Sequence, residues 1–334
     1  MFGYSLNSIG KSMKNVLSWS ELINLNAGFP ALENFGPNSD NPFLAIDLTG
    51  SDNRLSEWLT HLPCPVIGIG PGDAAVDCDV VLDEPEKLDL IASNVDKAPI
   101  AAMVLVQHLR QIEGLSLREA LVRESFAYAA IQQGPEFKTW LAGYEGGSLV
   151  DESGPPILTD IEGGTLTIRL NRPKNYNAIG TEMRDALCEV LDMVLTAGSF
   201  SEIHITGNGK AFSIGGAIQE FGEVTDPATA HWVRSLRLPA NRLAQLSENL
   251  SVHVNGAAVG AGVEIAAFAK RISCASNAWF QLPELKYGLI PGAGGTVSVT
   301  RRIGRQKCAY MALSMEKVSA KTAREWGLVD EIIG

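Results

Sequence analysis

The sequence predicts an α/β layered fold, on three observations. Short apolar runs closed by glycine alternate with amphipathic stretches through the second half; two glycine-rich turns each lead into a helix; and 46% of the 334 residues are hydrophobic against 19% charged. Strands alternating with helices form layers, and a chain of this length and apolar content buries one large core or two ordinary ones.

Residues 1–42, rich in Gly, Asn, Pro and Ser, read as an arm with one short helix near Ser18 to Leu25. From Phe43, FLAIDLTG reads as a buried strand, Leu55 to His61 as a short helix, and PVIGIG as a second strand stopped by Pro71 and Gly72. Residues 99–142 read as two helices. Pro99 suits a first helical position, Ser116 with Glu119 forms a capping box, and Gly134 fits a helix end. The second of these helices is amphipathic, with Leu117, Leu121, Phe126 and Ala130 near one side. Gly143 to Pro156, rich in Gly, Pro, Ser and acid, is the best linker, so the organisation expected is an arm (1–42), a small α/β piece with helices (43–150) and a second unit (155–334).

In the second unit TLTIRL alternates at period two, and Thr181 to Ala197 carries Met183, Leu187, Val190, Leu191 and Val194 at helical spacing. IHITG and SVHVNG are further strands closed by glycine, with a helix from Pro227 to Leu236 between them.

A net charge of −11 argues against a nucleic-acid or anionic-membrane partner, since both need a basic face. No apolar run reaches the roughly 18 residues that span a bilayer, and the start MFGYSLNSIG lacks an apolar signal stretch, so a cytoplasmic home is expected. The five cysteines show no CxxC spacing, which favours free thiols and implies no metal site.

The chemistry concentrates in the two glycine-rich turns. GNGKAFSIGGAIQEF places Gly215 and Gly216 after a strand and ahead of a helix; NGAAVGAGVEIAAFAKR opens a helix at Gly260, Ala261 and Gly262. Unpaired N–H groups at a helix start face the positive end of its dipole and bind anions or developing oxyanions. Close helix packing is the other use of such glycines. Glu264 stands among Val263, Ile265, Ala266, Ala267 and Phe268, where a carboxylate is costly unless it is paired or functional. A buried carboxyl with a raised pKa is a usual neutral-pH acid or base. Glu284 follows Pro283 at a strand or turn end and is bland by itself.

Five stretches in order, NRPKNYNAI, GNGKAFSIGGAIQEF, VNGAAVGAGVEIAAFAKRI, ASNAWFQLPELKYGLIPGAGGTVSVTRRIG and SAKTAREWGLVDEII, resemble the crotonase (enoyl-CoA hydratase/isomerase) superfamily over residues 157–333. The resemblance implies a crotonase-like ββα spiral core with covering helices. It also implies an oxyanion hole made by the backbone N–H groups of Gly216 and Ala261, with Glu264 and Glu284 as the catalytic carboxylates of a hydratase. Coenzyme A would be part of the substrate, with no separate cofactor. Its nucleotide is implied near NRPKNYNAI and the Lys210 to Gly216 loop, giving Arg172, Lys174, Ala178, Lys210, Ile214, Gly215 and Gly260 as substrate-binding positions. Arg301 and Arg302 read as structural or interfacial. A homo-oligomer, trimer or hexamer, is implied. The chain departs from the pattern at Ala217, where an Asp is frequent, and at Ala261, where many members have Gly; neither change removes a backbone N–H.

Two glutamates beside one oxyanion hole suit hydration of a 2-enoyl-CoA, because one must take a proton from water while the other delivers one to the α-carbon. A double-bond isomerase needs one base. Isomerase, decarboxylase and thioester hydrolase chemistries stay open, as does a noncatalytic binding module. A nicotinamide site at GIGPG fails because the G-x-G-x-x-G is incomplete and Pro71 intrudes. The resemblance also places covering helices after GLVDEII. Residues 99–142 have the look of such helices, with an E-S-x-x-Y and a late E-F, so helices moved ahead of the core are expected, and Phe43 to Asp83 reads as a degenerate extra core repeat.

Overall fold

Caps and burial stripes set where the helices begin and what they cover. The computed structural model describes residues 16–334 apart from 199 and 225; MFGYSLNSIG and the rest of the first fifteen residues lie outside the described residues. Two compact units part at Ser93/Asn94, so the Gly/Pro-rich stretch expected to divide the chain falls inside the second unit.

In the first unit α1 (Trp19–Ala27) starts at a capping box in which Ser18 and Glu21 satisfy each other's backbone N–H. Strands β1 (Leu44–Asp47), β2 (Val66–Ile69) and β3 (Val80–Leu82) form a parallel sheet in that order, with α2 (Ser56–His61) between the first two. Leu22, Ile46, Leu48, Leu59, Leu62 and Val66 are its buried core. Helix α3 (Lys87–Lys97) crosses the division.

The second unit opens with α4 (Pro99–Ile112), α5 (Leu117–Ile131) and α6 (Pro135–Ala142). Pro99 and the Ser116/Glu119 capping box sit where the sequence places them. Three helices form where two were expected, because Pro135 restarts a helix directly after Gly134. The face of α5 also differs from the reading. Phe126 is 57% exposed, whereas Ala120, Leu121, Glu124, Ser125 and Ala129 are buried, so the inward stripe contains an acid.

There follow β4 (Ile157–Glu162), β5 (Thr165–Leu170), α7 (Thr181–Ala197), β6 (Glu202–Gly207), β7 (Ala211–Ser213), α8 (Pro227–Arg237), α9 (Ala240–Leu246), β8 (Leu250–Val254), β9 (Ala257–Val259) and α10 (Ala261–Ala266). The chain closes with β10 (Arg271–Ala275), β11 (Trp279–Gln281), α11 (Gly295–Ile303), α12 (Arg305–Ser314), β12 (Val318–Ser319), α13 (Ala320–Trp326) and β13 (Glu331–Ile333). One sheet has the order β13-β10-β8-β6-β5-β4 and a second the order β12-β11-β9-β7. Successive pairs β6–β7, β8–β9 and β10–β11 each give one strand to either sheet in parallel register, which is the ββα spiral. Helix α5 packs on α4, α8, α9 and α11, and α6 packs on the 3-10 turn Glu284–Tyr287, so the N-terminal helices of this unit lie on the spiral. Among the described residues no helix is long and apolar enough to cross a membrane.

Candidate active site

Strand β7 and strand β9 are neighbours in the second sheet, so the glycine turn that follows each one emerges beside the other. Gly215 has φ +90°, open to glycine, and a methyl built on it would lie 2.7 Å from Val259 O and 3.4 Å from Ala261 N. Gly260, at φ +48°, would place a methyl 2.6 Å from Glu284 Oε1 and 3.8 Å from Gly215 Cα. The two turns and the Glu284 carboxyl therefore converge.

Gly216 is bridged to Ile179 through its neighbours, Ile179 N–H donating to Gly215 O and Ala217 N–H to Ile179 O. That pattern turns the Gly216 N–H the other way. Ala261 is the first residue of α10, so its N–H lies ahead of the helical ladder. Neither N–H has a hydrogen-bond acceptor among the described residues. Ala217 is buried, and its N–H serves the bridge to Ile179.

Every residue of α10 is buried, Glu264 included. Its Oε2 accepts from Ala293 N–H at 2.6 Å and Gly295 N–H at 2.7 Å, and Ser298 Oγ donates to its carbonyl at 2.8 Å. Burial first, then the neighbouring carboxyls of Glu284 and Glu124, push the Glu264 pKa well above the usual carboxylate range. Glu284 is half-buried as a residue, but its Oε2 is buried with no hydrogen-bond partner among the described residues. Burial raises its pKa to about 8, with Glu124 adding to the rise. Two carboxyls that repel each other titrate as a pair, and the two amide donors make Glu264 the better holder of the negative charge.

Sequence reasoning missed a third carboxylate. Glu124 on α5 is fully buried; Gly294 N–H donates to its Oε1 at 2.8 Å, while Thr296 N–H and Thr296 Oγ donate to its Oε2 at 3.1 and 2.6 Å. Arg234 of α8 lies 3.6 Å from Oε1, stacks 4.4 Å above the Tyr128 ring and donates to Gly292 O. Both fragments noted in residues 99–142 contribute here. The E-S-x-x-Y supplies Glu124 and Tyr128, the latter packed on Gly292, and the E-F supplies Glu136 and Phe137, packed on Gly288 behind the Glu284 turn. Glu136 also accepts the Ile100 and Ala101 N–H groups at 2.6 and 2.9 Å, capping α4. Phe137, Trp140 and Tyr287 surround Phe221, whose ring a methyl on Gly216 would meet at 3.0 Å. Trp232 on α8 is 63% exposed.

One member of the nucleotide-binding set, Arg172, is engaged internally. Arg172 is buried, paired to Glu182 at 2.6 Å and donating to Asn171 O and Gly154 O, so its guanidinium is not available to a phosphate. Glu152 accepts from Lys174 N–H and Asn175 N–H, at 3.1 and 3.2 Å, and so lies on the NRPKNYN loop. Ala178, buried, lines a cleft with Val150, Glu152, Arg172 and Glu182. The side chains of Lys174 and Lys210 are on exposed residues, and Ile214 is 42% exposed. Arg302 is structural as read, donating to Ala269 O and pairing with Asp330 at 2.7 Å. Among the described residues no group of three His, Cys, Asp or Glu side chains is placed to hold a metal.

Residues 160–334, just over half of the chain, match the family model described as Enoyl-CoA hydratase/isomerase. Among curated relatives, 2,3-dehydroadipyl-CoA hydratase of Escherichia coli is 36% identical over 50% of this chain and 65% of its own length. Mitochondrial enoyl-CoA hydratase of Pongo abelii is 33% identical over 49% and 56%, and 1,2-epoxyphenylacetyl-CoA isomerase of Escherichia coli 33% over 53% and 69%. The chain thus spans less than two thirds of the length of either of these hydratases. A solved enoyl-CoA hydratase of Mycobacterium smegmatis superposes with TM-score 0.51 at 26% identity, covering 54% of this chain and 71% of that one. With the spiral, the paired turns and a family match over more than half of its residues, the chain belongs to the enoyl-CoA hydratase/isomerase family.

Proposed function

We propose that the protein adds water across the double bond of a 2-enoyl-CoA thioester. The observation that carries this is the pair of raised-pKa carboxyls, Glu264 and Glu284, beside two turns whose free N–H groups belong to Gly216 and Ala261. The thioester oxygen sits between those two N–H groups. As water attacks the β-carbon, negative charge grows on that oxygen, and preorganised donors lower the barrier; losing one typically costs about 10²–10³ in rate. Glu264, its charge supported by the Ala293 and Gly295 amides, takes a proton from the water. Glu284, protonated at neutral pH, gives its proton to the α-carbon, and the proton taken from water restores the pair.

Helices α4 to α6 provide cover over the acyl end, through Tyr128, Phe137 and Trp140. With Arg172 held internally, recognition of the CoA phosphates falls to Lys174 and Lys210. Double-bond isomerisation needs a single carboxylate and leaves the second without a task.

Purified protein incubated with crotonyl-CoA and longer enoyl-CoAs is expected to consume the conjugated thioester, and Glu264→Gln and Glu284→Gln are each expected to lower kcat by at least about 10²-fold. Unchanged rates in both variants exclude these residues from the mechanism; a Glu284→Gln enzyme that still moves double bonds identifies an isomerase.

A further inference from the structure

Four successive amides leading into the first turn of α11 are divided between two carboxylates. Ala293 and Gly295 donate to Glu264, while Gly294 and Thr296 donate to Glu124, which lies 170 residues earlier in the chain than Gly294. Neither carboxylate can move without moving amides that the other uses. Gly295 is also in tight contact with Glu264, since a methyl on it would lie 2.3 Å from Glu264 Cγ.

We propose that Glu124 is a positioning residue for Glu264, acting through the Ala293–Thr296 loop whose amides the two carboxylates share alternately. The inference rests on the reading of Glu264 as the base that takes a proton from water.

Glu124 is built into this place from several sides. It is fully buried, which is costly for a carboxylate without donors, and it has three within hydrogen-bond reach plus Arg234 at 3.6 Å. Thr296 Oγ gives its one proton to Glu124, so the 2.8 Å contact between that oxygen and His108 Nε2 must be donated by the histidine. His108 fits this as a neutral donor, because burial, with Arg123 adding to it, pushes its pKa down to about 4. Arg234 in turn holds the preceding carbonyl, Gly292 O. The loop is thus fixed from α4, α5 and α8, all outside the strand-turn units that carry Glu264 and Glu284.

Glu124→Gln keeps size but puts an NH₂ group where Gly294 or Thr296 needs an acceptor, so the loop shifts and Glu264 loses its fixed orientation. Misplacing a catalytic group by about 1 Å costs about 10²-fold. Turnover of an enoyl-CoA that the wild type hydrates is expected to fall by about that factor in kcat, with KM within about threefold. Because the effect passes through Glu264, Glu124→Gln in a Glu264→Gln background is expected to lower kcat by less than about a further twofold. Multiplying losses, or a loss confined to KM, overturns the proposal. Should Glu124→Gln fold poorly, Thr296→Val and Thr296→Ser decide. The valine variant is expected to lose kcat at least about tenfold and the serine variant to recover most of that loss; equal losses count against the role. A crystal structure of Glu124→Gln reads the same question without turnover. Ala293 and Gly295 amides displaced from Glu264 support the proposal, and unchanged contacts of 2.6 and 2.7 Å overturn it. A wild type inert towards enoyl-CoAs would sink the hydratase reading while leaving this structural arm to judge the inference.

Discussion

Glu284 holds its proton more tightly in the folded protein than in the unfolded chain, and this ties one residue to a measurable pH effect. Its pKa rises from the usual 4.5 to about 8 through burial. Below about pH 4.5 both states keep the proton; between there and about pH 8 only the folded state does, so stability falls as pH rises through that window and is flat above it. Glu284→Gln lacks this dependence, so the Tm of the variant minus that of the wild type is expected to grow from pH 5 to pH 8.5. A constant difference contradicts the burial of an unpartnered carboxyl. Residues differed in how legible they were. Glu264 stood out as the one charge in an apolar helix, whereas Glu284 drew attention only through the resemblance, because a glutamate after a proline has no local mark. Glu124 was hidden because α5 was read with Phe126 inward. The signal that finds it is the stripe Ala120, Leu121, Ser125 and Ala129, on which Glu124 falls four residues after Ala120 and three after Leu121. Arg172 was legible as a cation, but its partner Glu182 is set by the fold of the loop between them.

At the scale of elements, the two glycine turns are a single device, since each occupies the space that the other's side chains would need. Gly215→Ala meets both a left-handed φ of +90° and Val259 O at 2.7 Å. It is expected to destabilise the protein by about 2–4 kcal/mol and to lower kcat more than tenfold by parting the turns. Gly163→Ala, at φ +57° with open space around it, is expected to cost about 1 kcal/mol and leave turnover alone. Thermal melts and kinetics on both variants check this; equal effects would mean that the contact between turns does not matter. Helices with clear caps and stripes were legible to the residue, α7 at both ends and α5 at its capping box. Helix α6 was not, because Gly134 reads as an end and Pro135 as a start, and only packing against the Glu284 turn decides for the start. Strand pairing lay beyond local patterns altogether, since β6 pairs with β8 across a whole strand-turn-helix unit.

For the molecule as a whole, chain order carries the lesson. The family match begins at residue 160, yet the compact unit that contains it begins at Asn94. Glycine and proline in residues 143–156 signalled a break in regular structure, which they are, but not a break in packing, because α4 to α6 lie on the spiral that follows. Composition could not reveal this; the contacts of Glu124, Tyr128 and Phe137 do. On the proposed function, the Gly216 and Ala261 N–H groups hold one thioester oxygen with Glu264 and Glu284 facing the adjacent carbons. A crystal structure with an unreactive acyl-CoA bound tests it most directly. The expected result is a carbonyl oxygen about 2.7–3.1 Å from both nitrogens, with the two carboxyls beside the α- and β-carbons; a thioester seated elsewhere, or an oxygen facing away from either amide, would contradict it.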